Sequence, residues 1–198
     1  MIKRSMHMNY LGSKTLETER LVLKAGTMKE QKRLWEILMI PEVNRYFLSV
    51  PIKFREKLKS WEKQEQFYEE EMKHALDTDV FKWSIFLKDT GECIGRITCQ
   101  EAHDEDESII DPAIRGVGWL IDPKYQNKGY ATEAAKAMID FMFKECKIKK
   151  IITGAAIGNP ASWKVMEKLG FKRQEETKMV QYTFLDKETE IYLYLLEI

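Results

Sequence analysis

The chain has 198 residues, enough for one domain with a sizeable buried core, and its 32 basic residues balance 32 acidic ones. With a formal net charge of zero there is no global field to hold nucleic acid or an anionic membrane, so partners are recognised locally. Cys93, Cys99 and Cys146 are too few and too scattered for a disulfide framework or a zinc site, no signal-peptide core is evident, and no apolar run approaches a membrane span; no metal is expected, and the chain reads as soluble and cytoplasmic.

Residues 1–15 show no period and read as a loosely held N-terminal arm, leaving 16–198 as the domain proper. Residues 17–24 read as a strand stopped by Gly26. Thr27 and Glu30 make a capping box that opens a helix with Leu34, Trp35, Ile37 and Leu38 on its apolar side, stopped by Pro41. Residues 44–48, between Pro41 and Pro51, are polar and aromatic; they form either a wall of a binding cleft or a plug under the next helix. Residues 54–76 are expected to form one long charged helix, with Leu58, Trp61, Phe67 or Tyr68, and Met72 as apolar contacts.

Residues 80–88 alternate, Asp89-Thr90-Gly91 is a turn, and residues 92–100 return as the second strand of a hairpin. The acidic run His103 to Glu107 lacks the ligand spacing and the glycine of a calcium loop, so a solvated loop is expected there. Residues 113–121 read as a strand in which Gly116 and Gly118 suggest a bulge or a close backbone approach. That strand runs through Asp122-Pro123 into a polar loop, and Gly129 opens a helix with apolar positions at 130, 134, 137, 138 and 141. A strand, a loop and a helix start make an anion site, because the first N–H groups of a helix lack intrahelical acceptors and the glycine lets backbone approach a ligand; Lys124 and Lys128 add charge nearby.

After that helix ends near Cys146, residues 149–157 read as a buried strand ending at Gly158-Asn159-Pro160. Residues 161–169 form a short helix closed by Gly170, and a final hairpin turns near Asp186-Lys187. In the last strand Ile191, Leu193 and Leu195 alternate with Tyr192, Tyr194 and Leu196, which predicts a central position covered on both faces. The pattern as a whole is an α/β domain with a mixed sheet.

Two units stand about 30 residues apart: Gln126-Asn127-Lys128-Gly129-Tyr130-Ala131, and Asn159-Pro160-Ala161-Ser162 with Glu167-Lys168-Leu169-Gly170-Phe171 behind it. Together they resemble the GNAT superfamily of N-acetyltransferases, and the second resembles its RimJ/RimL branch, which acetylates ribosomal-protein N-termini. The segment from Leu16 to Leu23 is similar to that branch's first strand. The resemblance implies a single α/β domain: a mixed, mostly antiparallel twisted sheet of about seven strands, about four flanking helices, and a splay between the fourth and fifth strands.

It also implies acetyl-CoA as co-substrate. Backbone amides of Gln126, Asn127, Lys128, Gly129, Tyr130 and Ala131 would cradle the pyrophosphate, with the Thr132 hydroxyl beside them. Trp119, Leu120 and Ile121 would pair through their backbone with the pantetheine arm, Asn159 would hold that arm with its side-chain amide, and Lys168 or Lys164 would reach the nucleotide phosphates. A backbone N–H near Leu120 or Ile121 would polarise the thioester carbonyl. The tyrosine that many relatives use as proton donor falls on Met166, which leaves Ser162 as the candidate acid; its other reading is an ordinary serine at a helix start.

The glutamate that some N-terminal acetyltransferases use as base falls on Gly154, so Glu101, Glu107 or a water held by them is the candidate base. An α-amine with a pKa of ~7.8 is about a third neutral at pH 7.5, against ~0.1% for a lysine amine. A site without a strong base therefore favours a protein or peptide N-terminus as acceptor, for a monomeric or homodimeric enzyme. A small-molecule amine (polyamine, amino acid or antibiotic) is the first alternative, and a non-catalytic acyl-CoA-binding protein the second.

Overall fold

The computed structural model describes residues 8–47, 50–103 and 108–197. Eight strands form one sheet: β1 (Leu16–Glu17), β2 (Leu21–Lys24), β3 (Lys82–Leu87), β4 (Cys93–Glu101), β5 (Ile114–Ile121), β6 (Lys150–Ala156), β7 (Lys172–Val180) and β8 (Thr189–Glu197). Their spatial order is β1-β2-β3-β4-β5-β6-β8-β7, antiparallel throughout except for the parallel pair β5 and β6. Six helices accompany the sheet: α1 (Met28–Leu38), α2 (Pro41–Asn44), α3 (Arg55–Leu58), α4 (Trp61–Lys73), α5 (Tyr130–Lys144) and α6 (Pro160–Lys168).

Strand alternation assigns the two faces. Leu21, Leu23, Trp83, Ile85, Ile97 and Val117 share the main core with Ala134, Ala135, Met138 and Met142 of α5 and with Met166 of α6. The alternate residues Phe86 and Leu120 turn the other way and pack with Leu34, Ile37 and Leu38 of α1. One face thus belongs to α5 and α6, and the opposite face to α1 and its neighbours.

The strand expected over residues 17–24 is two strands. Thr18 Oγ1 accepts from the Leu21 N–H at 3.0 Å, and Glu133 of α5 accepts from the Thr18 hydroxyl at 2.6 Å and the Arg20 N–H at 2.9 Å, so the chain turns where a carboxylate gathers its donors. The expected helix over 54–76 is likewise broken, with a 3-10 turn at Ile52–Phe54, then α3 and α4 separated by an extended Ser60. The break holds because side chains take the carbonyls it frees: Trp35 Nε1 donates to Leu58 O at 2.8 Å and Gln64 Nε2 to Lys57 O at 3.1 Å. The first division raises the strand count from seven to eight; the second, together with the short α2 that begins at Pro41, raises the helix count from four to six.

The expectation of a loose arm gives way for residues 8–15. Met8 is 6% exposed in the main core, Ser13 Oγ accepts from the Lys82 N–H at 2.7 Å, and the buried Trp83 Nε1 donates to Lys14 O at 2.7 Å. Two other expectations hold in detail. Glu30 accepts from the Thr27 N–H at 2.8 Å and from its hydroxyl at 2.6 Å, and Gly91 and Gly170 take the left-handed conformation at φ +69° and +86°. The last strand, β8, lies inside the sheet between β6 and β7, but only Ile191 and Tyr194 are buried in it.

Among the described residues no helix is long and apolar enough to cross a membrane. All three cysteines are free and buried; burial pushes the Cys93 thiol up to about 11, Cys99 to about 12 and Cys146 to about 11. The native protein should therefore leave a thiol reagent almost unreacted at pH 8, with all three thiols per chain titrating once denaturant is added; rapid modification of any of them in the native state would contradict this packing.

Candidate functional site

The gap in the sheet comes from how little β5 and β6 pair. β5 runs in continuous register with β4 from Arg115 to Ile121, and β6 pairs β8 along its whole length, yet β5 and β6 meet only at Ile114↔Lys150 and Arg115↔Ile151. The expected bulge at Gly116 and Gly118 is therefore absent from the β4–β5 ladder, and the glycines mark instead where β5 parts from β6. Thr153 Oγ1 donates to Val117 O at 3.0 Å just past the last paired residues, filling with a hydroxyl the place a strand would occupy. This is the splay expected between the fourth and fifth strands, which are the fifth and sixth once residues 17–24 divide.

At the open end of the gap, Asp122 leaves β5 and ties the loop down. It is 2% exposed, accepts from the Lys124 N–H at 2.9 Å, and is ion-paired to Arg33 of α1. A 3-10 turn at Pro123–Tyr125 follows, Gln126 Nε2 donates back to Ile121 O at 3.0 Å, and Asn127 and Gly129 take positive φ of 60° and 83°. Gly129 is the N-cap of α5, and the first bond of that helix is from Glu133 N–H to Gly129 O at 3.0 Å. The amides of Tyr130, Ala131 and Thr132 thus lack intrahelical acceptors. The Gln126 amide differs from expectation, since it turns back to Pro123 O at 3.3 Å.

Across the gap, β6 ends in the turn to α6. Trp163 Nε1 donates to Ile157 O at 3.1 Å and staples that turn, while Asn159, the N-cap of α6, makes no capping bond with its side chain. A Cβ at Gly158 would lie 2.8 Å from the Tyr46 hydroxyl and would push that phenol aside. Gly154 is more tightly enclosed: a Cβ there would meet Ile191 Cδ1 at 2.8 Å and the Tyr192 backbone O at 3.1 Å, so no glutamate fits at that place without movement of β8.

One cleft of about 1500 Å³ joins these pieces. It is lined by Trp119, Leu120, Ile121, Gln126, Asn127, Gly129, Tyr130, Ala131, Thr132, Asn159, Ser162, Lys164 and Lys168, and by Tyr46, Phe47, Glu101 and Met166. Lys128 and Lys124 lie outside the lining; the Lys128 ammonium sits 5.2 Å from the Tyr125 ring centre instead. Glu101 has its carboxylate 3.8 Å from Nη1 of Arg115, a guanidinium 1% exposed. Glu107 and the rest of the acidic run lie outside the described residues. Of the two readings of residues 44–48, the wall fits Tyr46 and Phe47, and Leu48 lies outside the described residues.

Residues 20–172 match the family model described as an acetyltransferase (GNAT) domain. The chain belongs to the GNAT acetyltransferase family. As a member it is an N-acetyltransferase, and the named relatives agree. It is similar to the uncharacterized N-acetyltransferase YnaD of Bacillus subtilis, with 28% identity over 80% of this chain and 83% of that one. Its fold is also that of the ribosomal-protein-S5-alanine acetyltransferase from Vibrio fischeri, with TM-score 0.70 and 18% identity over 92% of this chain and 96% of that one. A third match is the spermidine N-acetyltransferase from Vibrio cholerae in complex with CoA and spermine, with TM-score 0.70 and 17% identity over 91% of this chain and 96% of that one.

The sequence reading of this GNAT site misses Arg20. Its Nη1 donates to Lys128 O at 3.0 Å, its Nη2 is 2.6 Å from Glu133 Oε2, and its guanidinium lies 4.5 Å from the Tyr130 ring centre. Burial raises the Glu133 carboxylate, but bonds from Thr18 and Arg20 outweigh it and hold the group below its ordinary value. Arg20 thereby fastens the turn between β1 and β2 to the loop and to the start of α5. The only signal in sequence is its place in the first-strand motif, which says nothing of a partner 113 residues on. Arg20→Ala should weaken coenzyme A binding about three- to tenfold, ~1 kcal/mol, without changing the number of sites in calorimetry. Unaltered affinity would mean that the loop holds its shape without this clamp.

Proposed function

We propose that this protein moves acetyl from acetyl-CoA to the α-amine of a protein or peptide N-terminus, in the manner of the RimJ/RimL branch, by direct attack in a ternary complex. The observation that carries the reading is the single cleft that connects the amides at the start of α5, the bare edge of β5 and the Asn159–Ser162 turn. The free amides and the left-handed Gly129 suit a pyrophosphate. The edge of β5 from Gly116 to Ile121 offers backbone groups to the amides of a pantetheine arm, as a strand would. Asn159, with its side chain free of the helix cap, can bond the same arm from the other side.

In this arrangement an N–H of β5 near Leu120 polarises the thioester carbonyl, the amine nitrogen bonds to the acyl carbon, and the C–S bond breaks. Ser162, half-buried on the cleft wall, supplies the proton to the departing sulfur. The proton the amine loses passes to water, because Glu101 stands opposite Arg115, five residues or ~16 Å along β5 from Leu120, too far for one bridging water. An amine that is already partly neutral near pH 7.5 needs little from such a base, which favours α-amines.

The ribosomal-protein-S5-alanine acetyltransferase and the spermidine N-acetyltransferase match this fold equally, at TM-score 0.70, so the wall chemistry has to decide. The cleft lining carries Glu42, Glu71, Asp79 and Glu101 as well as cations, but the sheet face turned to α1 and α4 presents Lys82, paired with Glu71, and Arg96, which has no ion pair among the described residues, and that guanidinium disfavours a polyamine there. Three free, buried cysteines also suit a reducing cytoplasm.

Thiol release from acetyl-CoA should be seen with peptides bearing a free N-terminus and not with their N-blocked forms; release with spermidine and none with any peptide would favour the small-molecule alternative. kcat/KM should rise with pH through the acceptor's α-amine pKa of ~7.8 and level off above it. Ser162→Ala should keep its coenzyme affinity and lose ~10- to 100-fold in kcat, whereas Gly129→Asp should abolish coenzyme binding by placing a side chain and a negative charge in the cradle. Full turnover in Ser162→Ala would remove that residue from the chemistry.

A further inference from the structure

We propose that Lys82 and Arg96 form an anion subsite on the acceptor side of the cleft, selecting peptide N-termini with an acidic side chain at the first or second residue. The proposal rests on the peptide reading above and adds to it which peptides are taken.

The register places the two cations. Lys82, Thr98 and Gly118 are direct partners across β3, β4 and β5, and the adjacent row is Ser84, Arg96 and Leu120. All point to the face shared with α1, where Leu120 packs against Leu34 and Ile37. Gly118 contributes no side chain, so nothing on β5 stands between the bare edge and the row of Lys82, while Leu120 flanks Arg96 in the next row. Lys82 lies two strand spacings, ~10 Å, from the backbone of β5. Extended chain advances ~3.3–3.6 Å per residue, so an amine held at the β5 edge carries the carboxylate of its first or second side chain to the cations.

The charge around them is incomplete. Lys82 Nζ is 2.6 Å from Glu71 Oε2, and its side chain is 21% exposed. Arg96 has the Tyr68 phenol and the Phe47 ring, 5.5 Å away, as neighbours, and among the described residues no ion pair reaches it. Its Nε is buried without a hydrogen-bond partner. Lys82 is thus paired with Glu71, whereas the Arg96 guanidinium beside it has no carboxylate partner among the described residues. Burial, and then the charge of Arg96, push the Lys82 ammonium below its ordinary value against the pull of Glu71. A ligand carboxylate bridging the pair would relieve both costs, since arginine binds carboxylates with paired N–H groups.

The test uses peptide pairs that differ only in Asp against Asn, or Glu against Gln, at the first or second residue, assayed by thiol release with the full chain. The acidic member should be preferred at least tenfold in kcat/KM, chiefly through KM. In Arg96→Gln and in Lys82→Gln the ratio should fall to within about twofold of one, with coenzyme affinity in calorimetry confirming that each variant is folded. Arg96→Lys should keep part of the preference. A ratio near one in the unmodified protein, or a preference that both variants leave intact, overturns the subsite while leaving peptide acetylation standing. Turnover on no peptide of any kind overturns the peptide reading, and the subsite with it.

Discussion

The parting of β5 from β6 after two residue pairs is the constraint on which the rest of this molecule depends. Each of the two strands is fully paired on its other edge, β5 with β4 and β6 with β8, so the sheet remains one body while a wedge opens within it. An unpaired backbone group shut away from water costs ~1–3 kcal/mol, so such an edge persists only where solvent or a ligand reaches it. The cleft provides that access, and the Thr153 hydroxyl satisfies the carbonyl nearest the apex. The edge that β6 abandons is the place where the proposed pantetheine arm would complete the ladder.

Elements distant in sequence hold the mouth of the wedge in shape. Arg33 of α1 pairs with the buried Asp122 at the end of β5, and Arg20 bonds both Lys128 O and Glu133. Between these fixed points Asn127 and Gly129 accept left-handed backbone, so amides point outward with no helical partner. Order imposed in advance is order that a ligand does not have to impose on binding. The two arginines also show why α1 and the β1–β2 turn belong to the site, although their side chains are remote from the chemistry.

Much of the fold and most of the cleft were legible in the chain. The capping box of Thr27 and Glu30, the turn at Gly91 and the closing Gly170 are local, because each depends on residues within one turn of backbone, and each was found where the residues put it. The two loop motifs were legible for the same reason. The breaks at 18–20 and at Ser60 were not, because the donors and acceptors that stabilise them, Glu133, Trp35 and Gln64, come from other turns or other elements. Nor does any local pattern reveal that Met8 and Ser13 dock against the body, since a short apolar residue amid polar ones has no period.

By itself the sequence determined the class of domain, the strand and helix alternation, the GNAT loops and the residues set along the cleft, because period, caps and glycine conformation act over a few residues. Only the tertiary structure decided that Gly116 and Gly118 mark a parting of strands and not a bulge, that Lys128 turns out of the cleft while Arg20 clamps its loop, and that Lys82 and Arg96 share one wall. Each of those outcomes rests on register between strands or on a partner more than ten residues away. The loop before α5 turns free amides outward by its local backbone; what faces it across the wedge is fixed by how the sheet is threaded.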